Sequence, residues 1–276
     1  MDSITSLMNE DDDNSLLVIV ADFNIYSWGQ RAQTVQSEGR DGRRFPLITL
    51  PTFIENLLVF INAYLMLNQE NQIALISSVI GESYFVYPPQ PQQALTDHRC
   101  ISEQIQSSLE RINTICLENL DKRSEEQQQQ DCTSSFSAAM SLALCYINRI
   151  KKEFPSLRAR ILVFNLSPDV STQYIPVMNC IFSAQKQSIP VDSCVLSTTD
   201  STFLQQASHL TNGIYLKPQR QENLSQYLLS TFLVDSFSRN TKFALKYDLS
   251  KITNASATTS ATTTTTTTTT SSTNSN

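Results

Sequence analysis

Residues 16–21 read Leu-Leu-Val-Ile-Val-Ala, an unbroken apolar run rich in β-branched side chains. A run too short for a helix and apolar on both sides predicts a strand buried on both faces, as in a parallel sheet. A polar loop containing Arg31, Arg40, Arg43 and Arg44 is expected next, before a helix that starts near Pro51. There Ile54, Leu57, Leu58, Ile61 and Leu65 recur at helical spacing. Phe53, Phe60 and Tyr64 share that spacing, and core packing accounts for them without a base-stacking role. Residues 73–77 form a second strand. Residues 84–87 form a third, ended by Pro88-Pro89, and the short link between them predicts an antiparallel pair.

Two more helices follow. Ile101, Ile105, Leu109, Ile112 and Cys116 mark one; Phe136, Ala139, Met140, Ala143, Leu144, Ile147 and Ile150 mark the other. Lys151 and Lys152 favour the end of the second, and Pro155 lies just past it. Strands at 161–164, 191–196 and 214–216 then alternate with helices at 174–185, at 203–210 and through Leu224, Tyr227, Leu228 and Phe232. This alternation predicts an α/β fold: three layers, α/β/α, around a mostly parallel sheet with one antiparallel edge strand. Residues 1–14 read as an acidic, flexible N-terminus, and residues 15–237 as the folded domain. Residues 121–132, containing Ser-Glu-Glu-Gln-Gln-Gln-Gln, read as a polar loop. The last segment, 238–276, ends in a tract of threonine and serine that cannot bury enough apolar surface to offset its ordering entropy, and is expected to be disordered.

Composition removes most common chemistries. The chain of 276 residues holds 5 glycines, at positions that permit no G-x-G-x-x-G, P-loop or G-x-S-x-G motif. Two histidines, His98 and His209, leave no zinc-protease helix. The six cysteines at 100, 116, 132, 145, 180 and 194 include no C-x-x-C pair, and buried, reduced thiols are the expectation for Cys145, Cys180 and Cys194. A net charge of −6 disfavours a chain that grips nucleic acid by itself. No uninterrupted apolar run approaches the ~20 residues of a membrane span, and the N-terminus lacks a signal-peptide pattern. A soluble, intracellular protein is expected.

In a parallel α/β sheet, ligands bind beyond the carboxyl ends of the strands. The residues there are Asp22-Phe23-Asn24-Ile25-Tyr26 after the first strand and Asn165-Leu166-Ser167-Pro168-Asp169 after the 161–164 strand. Thr133, Ser134 and Ser135 precede the most regular helix as hydroxyls at its start. Without a metal, Asp22 is a hydrogen-bonded carboxylate, while Asn24 and Ser135 are turn and cap residues. An enzyme using Asp22 as nucleophile or base lacks a second convergent motif. Asp97-His98-Arg99 falls in a proline- and glutamine-rich loop, and His209 reads as a surface or cap group. Tyr26 and Trp28, if exposed, are candidates for partner binding; burial of Trp28 is the alternative.

An apolar first strand ending in Asp22, a paired second and third strand, and a helix begun by hydroxyls together resemble a von Willebrand factor A domain. That resemblance implies a divalent-cation site of the form Asp-x-Ser-x-Ser with a distal Thr and Asp, suited to Mg²⁺ or Mn²⁺. Here Asp22 keeps the first position, Asn24 and Tyr26 replace the serines, Ser134 or Ser135 stands nearest the threonine, and Asn165 stands where the distal Asp would be. The expectation is a degenerate site with no metal. The alternative is a metal-dependent ligand-binding domain using Asp22.

Residues 16–22 followed by Trp28-Gly29, then Ser-Leu-Ala-Leu-Cys-Tyr-Ile from Ser141, are similar to one subunit of general transcription factor TFIIH. So, in the same order, are Ile-Phe-Ser-Ala-Gln-Lys-Gln from Ile181, Leu-Gln-Gln-Ala from Leu204 and Gln-Tyr-Leu-Leu from Gln226. The chain is thereby identified as a member of the subunit 3 family, the smaller von Willebrand A-like subunit of the core. The resemblance implies a non-enzymatic, nuclear scaffold that binds the larger von Willebrand A-like subunit, the activator of a repair helicase, and another core subunit. It implies roles in RNA polymerase II transcription initiation and nucleotide excision repair, with no membrane contact and no direct sequence-specific contact to nucleic acid. The family also carries a C-terminal cysteine-rich zinc-binding segment. No such array follows Phe237 here, which fits either loss of the module or a shortened chain.

Overall fold

A computed structural model describes residues 14–38, 47–88, 101–121 and 134–233. The chain divides into two units, Met1–Val234 and Asp235–Asn276, and every described residue belongs to the first. Six strands form one sheet: β1 (Ser15–Asp22), β2 (Gln72–Ser78), β3 (Ser83–Tyr87), β4 (Arg158–Asn165), β5 (Val191–Val195) and β6 (Tyr215–Leu216), in the order β3-β2-β1-β4-β5-β6. All neighbours are parallel except β2 and β3, whose antiparallel pairing shifts register between Leu75 and Ile76. All eight residues of β1 are buried, as the run at 16–21 predicts.

The period of two along β1 divides the core. Leu17, Ile19 and Ala21 face one side; Leu16, Val18 and Val20 face the other. The first side is covered by α2 (Leu50–Leu67), α3 (Ile101–Asp121) and α7 (Leu224–Tyr227), together with Trp28 of α1 (Ile25–Glu38). The second is covered by α4 (Phe136–Glu153), α5 (Tyr174–Lys186) and α6 (Thr202–Thr211). Helices on both faces of a mostly parallel sheet are the architecture the alternation implies.

Four local readings change. The expected polar loop at Arg31 is helix α1, which Asn24 starts and in which Ile25, Trp28, Ala32 and Val35 recur at helical spacing among polar residues. The last helix is one short α segment that widens into a π-helical turn, Leu228–Phe232. Helix α2 is 18 residues long with mean hydropathy 1.5, enough by length and composition to cross a membrane. Its Phe53, Leu57, Phe60, Ile61 and Tyr64 are buried in the core, while Val59, Met66 and Leu67 are exposed. Cys145 is exposed on α4, while Cys180 and Cys194 are buried. Arg40, Arg43, Arg44, Asp97-His98-Arg99, the polar loop at 122–132, the acidic run and the 238–276 segment lie outside the described residues.

Two buried contacts pin the β4–β6 half. The Arg160 guanidinium meets the Asp192 carboxylate at 3.4 Å, both side chains being almost fully buried. It also donates to the carbonyl of Leu233 at 3.3 Å and lies 5.6 Å from the centre of the Tyr64 ring. The other Asp192 oxygen accepts the Ile214 N–H at 2.8 Å. Beside it, Gly213 passes so close to β5 that an added Cβ would stand 2.0 Å from the Val191 carbonyl oxygen.

Candidate functional site

The carboxyl ends of β1 and β4 lie side by side, and there the chain brings Asp22, Asn24 and Asn165 together through Ser167. Asp22 is buried, and both of its carboxylate oxygens are occupied. One accepts the N–H of Asn24 at 3.1 Å; the other accepts the N–H groups of Leu166 at 3.2 Å and Ser167 at 2.7 Å. Three amides on one carboxylate tie the β1 turn to the β4 turn. The backbone carbonyl of Asp22 accepts the indole N–H of Trp28 at 2.9 Å.

Asn24 is fully buried and caps α1: its side-chain oxygen accepts the Tyr26 N–H at 3.0 Å, and its carbonyl accepts the Trp28 N–H at 3.1 Å. Its amide nitrogen donates to the Ser167 hydroxyl at 3.3 Å, and Ser27 and Ser167 pair through their hydroxyls at 2.9 Å. Asn165 donates to the carbonyl of Ser167 at 2.9 Å. Ser134 is not tied to Asp22 by any of these bonds. Its hydroxyl lies 2.6 Å from that of Ser78 at the end of β2, and its carbonyl accepts from Gln173. Ser135 occupies the position before α4 but makes no side-chain cap bond; its carbonyl accepts from the hydroxyl of Ser83.

Tyr26 is about half exposed, whereas Trp28 is buried. Trp28 packs against Phe53 at 5.4 Å between ring centres, with the Arg31 guanidinium 5.7 Å from its own ring. Of the two interface candidates, only Tyr26 presents its side chain. Two residues that the sequence reading named only within the strand-end string prove to be contributors. Ser167 joins every member of the β1–β4 cluster, and Asp169 accepts from the hydroxyls of Ser201 and Thr202 and from the Phe203 N–H, so fixing the start of α6. A turn serine carries no signal of such a role; Asp169, four residues past the strand, stood in the strand-end string without a role of its own.

Mg²⁺ takes six oxygen ligands in near-octahedral geometry, several of them waters, and needs free oxygen lone pairs aimed at it from one or two carboxylates. The cluster has one carboxylate, which already accepts three N–H groups, and its two asparagines turn their amide nitrogens toward Ser167. The adjoining cleft, lined by Ser134, Asn165, Ser167, Asp169 and Gln173, has about 20 Å³ of room, the space of one water. Among the described residues no group of three His, Cys, Asp or Glu side chains converges. As a donor set, these residues do not fit a hard cation; they fit a hydrogen-bonded clasp between two loops.

The three-layer order, the antiparallel edge strand and the strand-end position of Asp22 define a von Willebrand A-type domain. The fold is shared with the von Willebrand factor type A protein from Catenulispora acidiphila at a TM-score of 0.51 and 11% identity, over 78% of this chain and 41% of that one. A nearer likeness is to the TFIIH p34 N-terminal domain, with a TM-score of 0.65 and 30% identity over 80% of this chain and 99% of that one. Residues 14–250 match the family described as Transcription factor Tfb4. The chain is 48% identical to General transcription factor IIH subunit 3 of Dictyostelium discoideum over 85% of its length and 77% of the relative's. It is 34% identical to the Arabidopsis thaliana General transcription and DNA repair factor IIH subunit TFB4, over 83% and 73%. The chain belongs to the TFIIH subunit 3 (Tfb4) family.

Proposed function

We propose that this chain is a non-enzymatic scaffold subunit of the TFIIH core, acting in the nucleus in RNA polymerase II transcription initiation and nucleotide excision repair. It binds the larger von Willebrand A-like subunit and a second core subunit, and it works without a metal at Asp22. One observation carries the reading. In a chain whose relatives are named as TFIIH subunits, the position where a von Willebrand A fold would hold its cation is filled by the Asp22 clasp to Asn24, Leu166 and Ser167. What the domain then offers is surface rather than reaction chemistry.

Capture of the purified larger subunit by this chain tests the proposal, with circular dichroism as the check on folding. A folded chain that fails to retain that subunit refutes it. The competing reading, a metal-dependent ligand-binding domain, rests on Asp22 being present at the strand end. It requires heat on titration with Mg²⁺ or Mn²⁺ that disappears in Asp22→Ala.

A further inference from the structure

Where β1 ends, Phe23 leaves the sheet toward α2 and α3, and a groove opens on the Leu17 side of the core. Its inner half, about 160 Å³, is walled by Phe23, Leu50, Ile54, Val79, Leu109 and Ile112. Its outer half, about 390 Å³, is bordered by Trp28, Gly29, Ala32, Ile48 and Pro51. Ile25, Leu50 and Asn113 line both halves, so the two are continuous. An apolar cavity of about 150 Å³ can take up a benzene molecule, so the inner half has room for one leucine or phenylalanine side chain. Gly29 borders the outer half, and a Cβ added there would meet no atom within 4 Å.

The groove is electrically lopsided. Arg31 borders its outer half and is buried. Its guanidinium donates to the carbonyls of Ile48 and Leu196, each at 2.8 Å, and to the side-chain oxygen of Gln221. All three partners are neutral, and burial lowers its pKa to about 10. No carboxylate among the described residues pairs with it. Thr49, at the start of α2, makes no cap bond to the first turn, so the positive end of that helix adds to the same pole. Glu110 stands at the opposite, inner end. A buried charge with no counter-charge is costly, and a carboxylate brought to it relieves that cost.

We propose that this groove docks a segment of a partner protein, with an apolar side chain seated between α2 and α3 and a neighbouring carboxylate toward the Arg31 end. The proposal rests on reading the chain as a subunit of a larger assembly. The elongated, apolar shape suits a peptide segment. Nucleic acid is disfavoured, because the lining residues include Glu110 and offer no exposed lysine or arginine.

The test uses the full chain and a synthetic octapeptide with Leu-Phe at its centre, flanked by glutamates, by glutamines or by lysines. Emission from Trp28, the one tryptophan in the sequence, reports binding at the groove. The glutamate peptide is expected to bind about tenfold tighter than the lysine peptide, with the glutamine version between. Gly29→Phe, which places bulk in open space and raises helix propensity, should weaken binding about tenfold, while Gly29→Ala should leave it within about twofold. Absence of a Trp28 response, equal binding of the three peptides, a preference for lysine, or full binding by a folded Gly29→Phe chain would each overturn the proposal. Because the peptide is designed, these outcomes are independent of TFIIH membership, which capture of the larger subunit tests separately.

Discussion

Replacing Asp22 by alanine removes the acceptor of three buried N–H groups at once, those of Asn24, Leu166 and Ser167. An orphaned buried donor costs about 1–3 kcal/mol, and bonds to a charged acceptor lie at the upper end of what a hydrogen bond contributes. The three losses are not additive, since the freed loops relax and admit water. A total of roughly 3–5 kcal/mol is therefore expected. For a domain of this size about 2–4 °C of melting temperature follows each kcal/mol, so Asp22→Ala should melt roughly 6–20 °C lower. Asp22→Asn keeps one acceptor oxygen but turns an NH₂ toward the remaining donors, and should fall between the variant and wild type. Thermal melting followed by circular dichroism measures all three proteins, each with and without excess Mg²⁺. A cation bound at a hundredfold excess over its Kd would stabilise the wild type by about 2.7 kcal/mol. The clasp predicts no such gain. A melting temperature for Asp22→Ala within about 2 °C of wild type would refute the clasp, and a Mg²⁺-dependent rise that Asp22→Ala abolishes would show that the carboxylate serves a metal instead.

Other contacts yield equally direct tests. Asp192→Ala removes the carboxylate 3.4 Å from the buried Arg160 guanidinium and should cost about 3–5 kcal/mol in urea unfolding. The double change Arg160→Met with Asp192→Leu should recover most of that loss, and a double variant no better than the single would refute the ion-pair reading. Gly213→Ala drives a methyl group into the β5 backbone at Val191, which cannot move aside as a side chain can; a loss of at least about 2 kcal/mol is expected, and a neutral result would contradict the close approach. Burial raises the Cys194 thiol well above its ordinary pKa and burial also raises that of Cys180, whereas Cys145 is exposed. Peptide-resolved mass spectrometry after brief iodoacetamide treatment at neutral pH should find Cys145 alkylated and Cys194 untouched until the protein is denatured.

The parts of the fold that were legible share one cause. A strand buried on both faces has to be apolar throughout, and a core helix has to repeat at 3.6, so 16–21 and the Ala139-to-Ile150 stripe announce themselves by solvation alone. Helix α1 did not, although Ile25, Trp28, Ala32 and Val35 recur at helical spacing, because that stripe is one residue wide in an otherwise polar segment and is anchored by the Asn24 cap and by Trp28 docking on Phe53. Trp28 shows the same limit for function. Its type fits an interface hot spot and a core anchor equally well, and only its packing assigns it to the core.

At the strand ends, the sequence alone determined that Asp22 stands where a von Willebrand A fold would place a ligand, and that Asn24, Tyr26 and Asn165 are poor substitutes for the other oxygens. It could not determine what those residues do instead. The partners of Asp22, the Leu166 and Ser167 amides, lie about 140 positions away along the chain, and they meet it only because β1 and β4 are neighbours in the sheet. The Arg31 pole has the same origin, with Ile48, Leu196 and Gln221 converging from three separate segments. Local pattern decides which segments bury. Which backbone amide or carbonyl finally meets a buried charge depends on strand order and loop closure, and those are properties of the tertiary structure.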